Sequence, residues 1–120
     1  MDLKLRTREV NGIMVIGLSG RLTLGEASAT VRDEVHDEIG QGYTKIVMDL
    51  GEVSYIDSAG LGELTAAFTS VKNRGGEMKL VNLTKRVHDL MQITKLYTVF
   101  DVHDDEKKAI ASFRSGPDKA

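Results

Sequence analysis

The sequence predicts an α/β domain built on a small mixed sheet, and three observations carry that expectation. Apolar and charged residues alternate through Leu3-Lys4-Leu5-Arg6-Thr7-Arg8, and Asn11-Gly12 then gives the commonest two-residue hairpin signal. Two long stretches of helical period follow, each closed by glycine. Short apolar runs lie between and after them, at the spacing of a strand–helix–strand unit. That spacing implies a parallel pair with a right-handed crossover. About four to five strands and about four helices are expected, with the hairpin at the N-terminus.

The first strand points Leu3, Leu5 and Thr7 one way and Lys4, Arg6 and Arg8 the other, so its outer side is charged and guarded against edge pairing. Residues 13–18 are nearly all apolar, which predicts a strand buried on both faces and closed by Gly20. From Gly25 to Gly40 the period becomes four. Ala27, Val31, Val35 and Ile39 recur, with Arg32, Asp33, Glu34, Asp37 and Glu38 between them, and Gly40 and Gly42 stop the helix. Residues 45–50 form a strand whose Ile46-Val47-Met48 suggests a central place. Residues 58–74 form a second helix with Leu61, Leu64, Phe68 and Val71 on one stripe, ended by Gly75-Gly76. A strand over residues 78–83 completes the crossover. Thr84 caps a third helix that turns Val87, Leu90 and Met91 inward. Residues 98–102 form a short last strand. Asp104 and Asp105 then suit a helix N-terminus, ahead of Ala109, Ile110 and Phe113. One domain over residues 1–114 is expected, with residues 115–120 as a frayed tail.

Composition removes several functions. The chain has 120 residues, enough for one core and too few for two domains. It has no cysteine, which excludes a disulfide scaffold, a thiolate nucleophile, a cysteine zinc site and an iron–sulfur cluster. Lys and Arg number 16 against 18 Asp and Glu, without the basic excess of a dedicated nucleic-acid binder. The longest apolar stretch, residues 12–18, is far short of the ~20 residues of a membrane span. The first residues hold no apolar core of a secretory signal. A whole, soluble, cytoplasmic chain is expected.

The chemistry concentrates in Tyr55-Ile56-Asp57-Ser58-Ala59-Gly60-Leu61-Gly62, where small and polar residues gather at a helix start. Asp57 or Ser58 suits the N-cap, because a side-chain oxygen can accept an orphan backbone N–H. Gly60 and Gly62 each cost roughly 1 kcal/mol against alanine in a helix. Two in the first turn imply close approach of another surface, either a partner or a neighbouring strand.

Asp57-Ser58-Ala59-Gly60-Leu61-Gly62 resembles the D-S-x-G-L-G motif of bacterial anti-sigma factor antagonists, which are single STAS domains. Gly20-Arg21-Leu22 is similar to the family's G-x-L turn. Ile46-Val47-Met48-Asp49-Leu50 resembles its central strand, and Asn73-Arg74-Gly75-Gly76-Glu77-Met78 its helix-to-strand turn. Together these cover roughly residues 1–113. The resemblance implies a partner switch. The serine at position 58 is phosphorylated by a partner that is both anti-sigma factor and serine kinase, and a serine phosphatase reverses the step. The unmodified antagonist binds that partner and frees the sigma factor, and the phosphorylated form lets go. It also implies that Arg21, Thr23, Asp57, Ser58, Ala59, Gly60, Leu61 and Gly62 meet the partner, with no cofactor. Three positions depart from the pattern. Thr23 stands where aspartate is common, Ala59 replaces a frequent second hydroxyl, and Glu63 replaces a branched apolar residue on a helix face expected to be exposed.

Other readings are weaker. The nucleophile elbow G-x-S-x-G is absent, since Ile56 occupies its first glycine position. His36, His88 and His103 sit among charges and read as solvated. His103-Asp104-Asp105-Glu106 does not aim at one point as a metal site must, and N-capping accounts for its acids. No phosphate-cradling G-x-x-x-x-G-K-[ST] occurs, so a nucleotide site would have to be unconventional. The alternative within the family is an adaptor subunit of a membrane transporter or of a stress-sensing complex.

Overall fold

A computed structural model describes residues 3–113. The elements run β1 (Lys4–Val10), β2 (Ile13–Leu22), α1 (Glu26–Gly40), β3 (Lys45–Ile56), α2 (Ser58–Asn73), β4 (Glu77–Val81), α3 (Lys85–Thr94), a 3-10 turn (Leu96–Thr98), β5 (Asp101–His103) and α4 (Glu106–Ser112). The five strands lie side by side in chain order. β1 and β2 are antiparallel, joined by Asn11 and Gly12, both at positive φ as a tight hairpin turn requires. β2, β3, β4 and β5 are mutually parallel.

The unbroken apolar strands follow from two covered faces. Met14, Ile16, Leu18, Ile46, Met48, Leu50, Met78 and Leu80 face the helices α1, α2 and α3, which contribute Val31, Val35, Leu61, Leu64, Val71, Val87 and Met91. Ile13, Val15, Val47 and Val81 face the other way, under Ala109 of α4 and Phe113 just beyond it. Each fully buried aliphatic side chain contributes about 1.5–3 kcal/mol. The caps expected for the last two helices form: Thr84 Oγ1 accepts from Val87 N at 3.3 Å, and Asp105 Oδ1 accepts from Lys108 N at 2.8 Å.

Several boundaries differ from the sequence expectation. β2 passes Gly20 and ends at Leu22, and β3 runs on from residue 50 to Ile56. β4 pairs with β3 only as far as Val81 opposite Asp49, whereas β2 stays paired to Leu22 opposite Ile56. The two strands therefore project as a ribbon beyond the sheet, and exposed edges explain its polar Gly51-Glu52 and Ser54. β4 stops at Val81 because Asn82 turns to positive φ. The last strand begins at Asp101 rather than residue 98, since Leu96–Thr98 winds into the 3-10 turn. Thr7 is exposed, while Leu3 and Leu5 pack against the core. Glu38, expected on the polar side of α1, is buried because it continues the inward row Ser28, Val31 and Val35. The expected tail, residues 115–120, lies outside the described residues.

Candidate functional site

The β2–β3 ribbon carries the site. Its tip brings the β2–α1 loop beside the start of α2. Asp57 has extended backbone and caps α2, its Oδ1 accepting from Gly60 N at 2.7 Å. Its Oδ2 accepts from Leu24 N in the loop at 3.1 Å, and its own N–H donates to Leu22 O at 3.3 Å. One carboxylate therefore fastens two segments of chain, with an oxygen engaged on each. Ser28 Oγ holds the same loop from α1 by donating to Thr23 O at 2.9 Å.

Gly60 sits over the end of β2. A Cβ there would lie 2.1 Å from the Leu22 carbonyl oxygen, so of the two surfaces expected to approach it, the neighbouring strand is the one that requires glycine. Gly62 is exposed and a Cβ on it would meet open space. Of the eight residues expected to meet a partner, Arg21, Ser58 and Gly62 are exposed, and Thr23, Asp57 and Ala59 are half-buried. Gly60 and Leu61 are buried and set the shape of the helix start. The expected exposure of Glu63 is corrected: the residue lies buried against α1, where its Oε1 accepts from Arg32 Nη2 at 2.9 Å. That ion pair explains why an acid can stand where an apolar residue is usual.

Ser58 is the first residue of α2, and its exposed side chain opens into a depression of about 730 Å³ shared with Tyr55, Lys85, Arg86, Asp89 and Ile93. Tyr55 is half-buried with two guanidinium groups near its ring, Arg21 at 4.5 Å and Arg86 at 5.0 Å from the centroid. Lys85 Nζ pairs with Asp89 Oδ2 at 2.8 Å and holds that carboxyl below its ordinary range. Leu24 and Ile93, 77% and 78% exposed, supply apolar surface to this end of the molecule. The sequence reading names Tyr55 in the same stretch as Ser58 but not Lys85, Arg86 and Ile93, which the fold brings to the same depression. One signal was present: Lys85-Arg86 directly follows a capping threonine, where the helix dipole disfavours cations.

No histidine lines this depression. His36 is exposed, and His88 meets Tyr97 edge to face with ring centroids 5.1 Å apart. His103 meets Asp101 Oδ1 at 2.9 Å and Ser112 Oγ at 3.3 Å, but both contacts fall on Nε2. A relay from serine through imidazole to carboxylate needs both ring nitrogens. Ser112 Oγ moreover donates to Ala109 O at 2.7 Å. Among the described residues no cluster of three or more His, Asp or Glu is placed to hold a metal ion, and no helix is long and apolar enough to cross a membrane.

Comparison with known proteins places this geometry. The family model of the STAS domain matches residues 4–109. The anti-sigma F factor antagonist of Paenibacillus polymyxa is 27% identical over 92% of this chain and 94% of its own. Among solved structures, the Thermotoga maritima protein TM1081 superposes with a TM-score of 0.82 at 25% identity, covering 89% of this chain and 92% of that one. The Bacillus cell fate determinant SpoIIAA in its phosphorylated form shares the fold, with a TM-score of 0.69 at 24% identity over 90% of this chain and 97% of that one. The fold is thus that of a known architecture, and the chain belongs to the STAS domain family, in which its relatives include anti-sigma factor antagonists.

Proposed function

We propose that this chain is an anti-sigma factor antagonist working by a partner switch in the cytoplasm, with Ser58 as the phosphoacceptor. The observation that carries the reading is the exposed hydroxyl on the first residue of α2, beside an aspartate whose two oxygens are already engaged by backbone N–H groups. Asp57 is thereby a fixed structural charge, and Ser58 is left open to an incoming enzyme. The partner is an anti-sigma factor that is also a serine kinase. In the transfer, the Ser58 hydroxyl gives its proton to a base of the kinase. An Oγ–P bond replaces the bond between the β- and γ-phosphates of ATP, and ADP leaves. A serine phosphatase restores the hydroxyl by hydrolysis.

The switch follows from charge and volume. Phosphate adds about −1.5 to −2 charges at neutral pH. A partner docked on Ser58 and Gly62 would have to desolvate that group beside Asp57. A loss of only about 2.7 kcal/mol weakens binding roughly 100-fold. The protein acts by binding and turns over no substrate of its own.

The test is incubation with the serine kinase and ATP, followed by mapping of the modified residue by mass spectrometry. Modification of Ser58 is expected. Phosphate mainly on another residue, with Ser58 unmodified, overturns the assignment.

A further inference from the structure

We propose that Lys85 and Arg86 form a clamp for the phosphate of phosphorylated Ser58, Arg86 exchanging the Tyr55 ring for the phosphate oxygens. The proposal rests on the reading of Ser58 as phosphoacceptor and adds an intramolecular site that holds the modified form. Ser58, Lys85 and Arg86 line one depression, so a phosphate growing from Oγ enters the space these two cations border.

Both cations are placed against local preference. They are the first two residues of α3, whose first turn has no acid to offset the positive end of the dipole. Arg86 has no carboxylate partner among the described residues, and its guanidinium rests on Tyr55. A cation over a partly exposed ring is a weak contact, whereas a charge-assisted, bidentate bond from guanidinium to phosphate is a strong one. Lys85 is tied to Asp89 by an exposed pair one helical turn apart, which yields readily to a dianion. Asp57 forms no ion pair with either cation among the described residues, and each of its oxygens accepts from a backbone N–H instead.

The charges facing the phosphate are therefore Lys85 and Arg86 in favour, with Arg21 nearby on the Tyr55 ring, and Asp57 and Asp89 against. His88, edge to face with Tyr97, does not line the depression. The clamp favours the dianion of the phosphate and uncovers one face of Tyr55. It also makes Lys85 and Arg86 the groups a phosphatase must displace.

The experiment uses the full chain with phosphoserine incorporated at position 58 during synthesis, so no kinase is needed. Phosphorus NMR follows the second ionisation of the phosphate against pH. Its midpoint is expected about one pH unit lower in the otherwise wild-type protein than in the Lys85→Gln/Arg86→Gln variant. Arg86→Lys, which keeps the charge, is expected to recover most of that difference. Tyr55 ring signals are expected to shift on phosphorylation in the wild type and to stay in place in Arg86→Gln. Equal midpoints in the wild type and the double variant overturn the clamp. A kinase that leaves Ser58 unmodified counts against the phosphoacceptor reading alone, and the titration still decides the clamp.

Discussion

A methyl group at Gly60 has nowhere to go. The Leu22 carbonyl it would strike is backbone, so the helix start must move instead. Gly60→Ala is expected to destabilise by about 1–3 kcal/mol, the usual cost of overpacking. Gly62→Ala, with open space around it, is expected to stabilise α2 by about 0.5–1 kcal/mol. Urea denaturation of the two variants checks both signs. Glu38 offers a second contrast at this scale. Burial, then the hydrogen bond and charge of Glu34, then the charge of Asp37, push its carboxyl up to about 7 from an ordinary 4.5. One of its oxygens, Oε1, has no hydrogen-bond partner among the described residues. The folded state thus holds this proton more tightly than the unfolded chain. Its contribution is full below about pH 4.5 and is lost as pH rises through about 7. Glu38→Gln is expected to remove that fall, so the denaturation midpoints of variant and wild type should diverge in the variant's favour between about pH 5 and pH 8. Parallel midpoints across that range would contradict the assignment.

Among the elements, α2 and the β2–β3 ribbon define the site together, and Asp57 is their joint. Asp57→Ala removes the cap and the tie to Leu24, and a loss of about 1–2 kcal/mol is expected by thermal or urea denaturation. Asp57→Asn keeps an acceptor for Gly60 N and should lose less. How far the elements were legible depended on what each one borders. The hairpin, α2 and the Thr84 and Asp105 caps carry local signals, namely turn chemistry, an apolar stripe and an acceptor before a helix, and these formed where expected. The far half of β3 did not announce itself. Beyond Asp49 it has a paired neighbour on one side only, and polar residues tolerated at an exposed edge read as a loop. Glu38 sits in the charged run of α1, and Glu63 lies opposite the Leu61/Leu64/Phe68 stripe, so the pattern along each helix puts both in solvent. The burial of Glu63 depends on α1 meeting α2 and on Arg32 reaching across to it, which a pattern along one helix does not contain. In the same way, the residues around Ser58 come from β2, β3 and α3, and only their convergence makes Tyr55, Lys85 and Arg86 part of the site.

For the molecule as a whole, phosphorylation should leave the fold intact. α2 is anchored by Leu61, Leu64 and Val71 in the core, and Ser58 lies at its exposed end. The favourable dipole term of about 0.3–1 kcal/mol is opposed by repulsion from Asp57, and both are small against the about 5–15 kcal/mol that hold a domain. Far-UV circular dichroism should be unchanged and the thermal midpoint only slightly shifted. Amide shifts should be confined to residues 20–24, 55–62 and 84–89. Shifts spread through the interior of β2 and β4 would mean a relay through the sheet. The central claim is that charge at Ser58 breaks a binding surface without breaking the protein. Calorimetric titration of the anti-sigma factor partner with four forms of the chain tests it most directly. Ser58→Ala should bind within about twofold of the wild type, the margin of a surface substitution. Ser58→Asp should bind more weakly, and the phosphorylated chain at least about 100-fold more weakly than wild type. A phosphorylated chain that binds as tightly as the unmodified one would contradict the account.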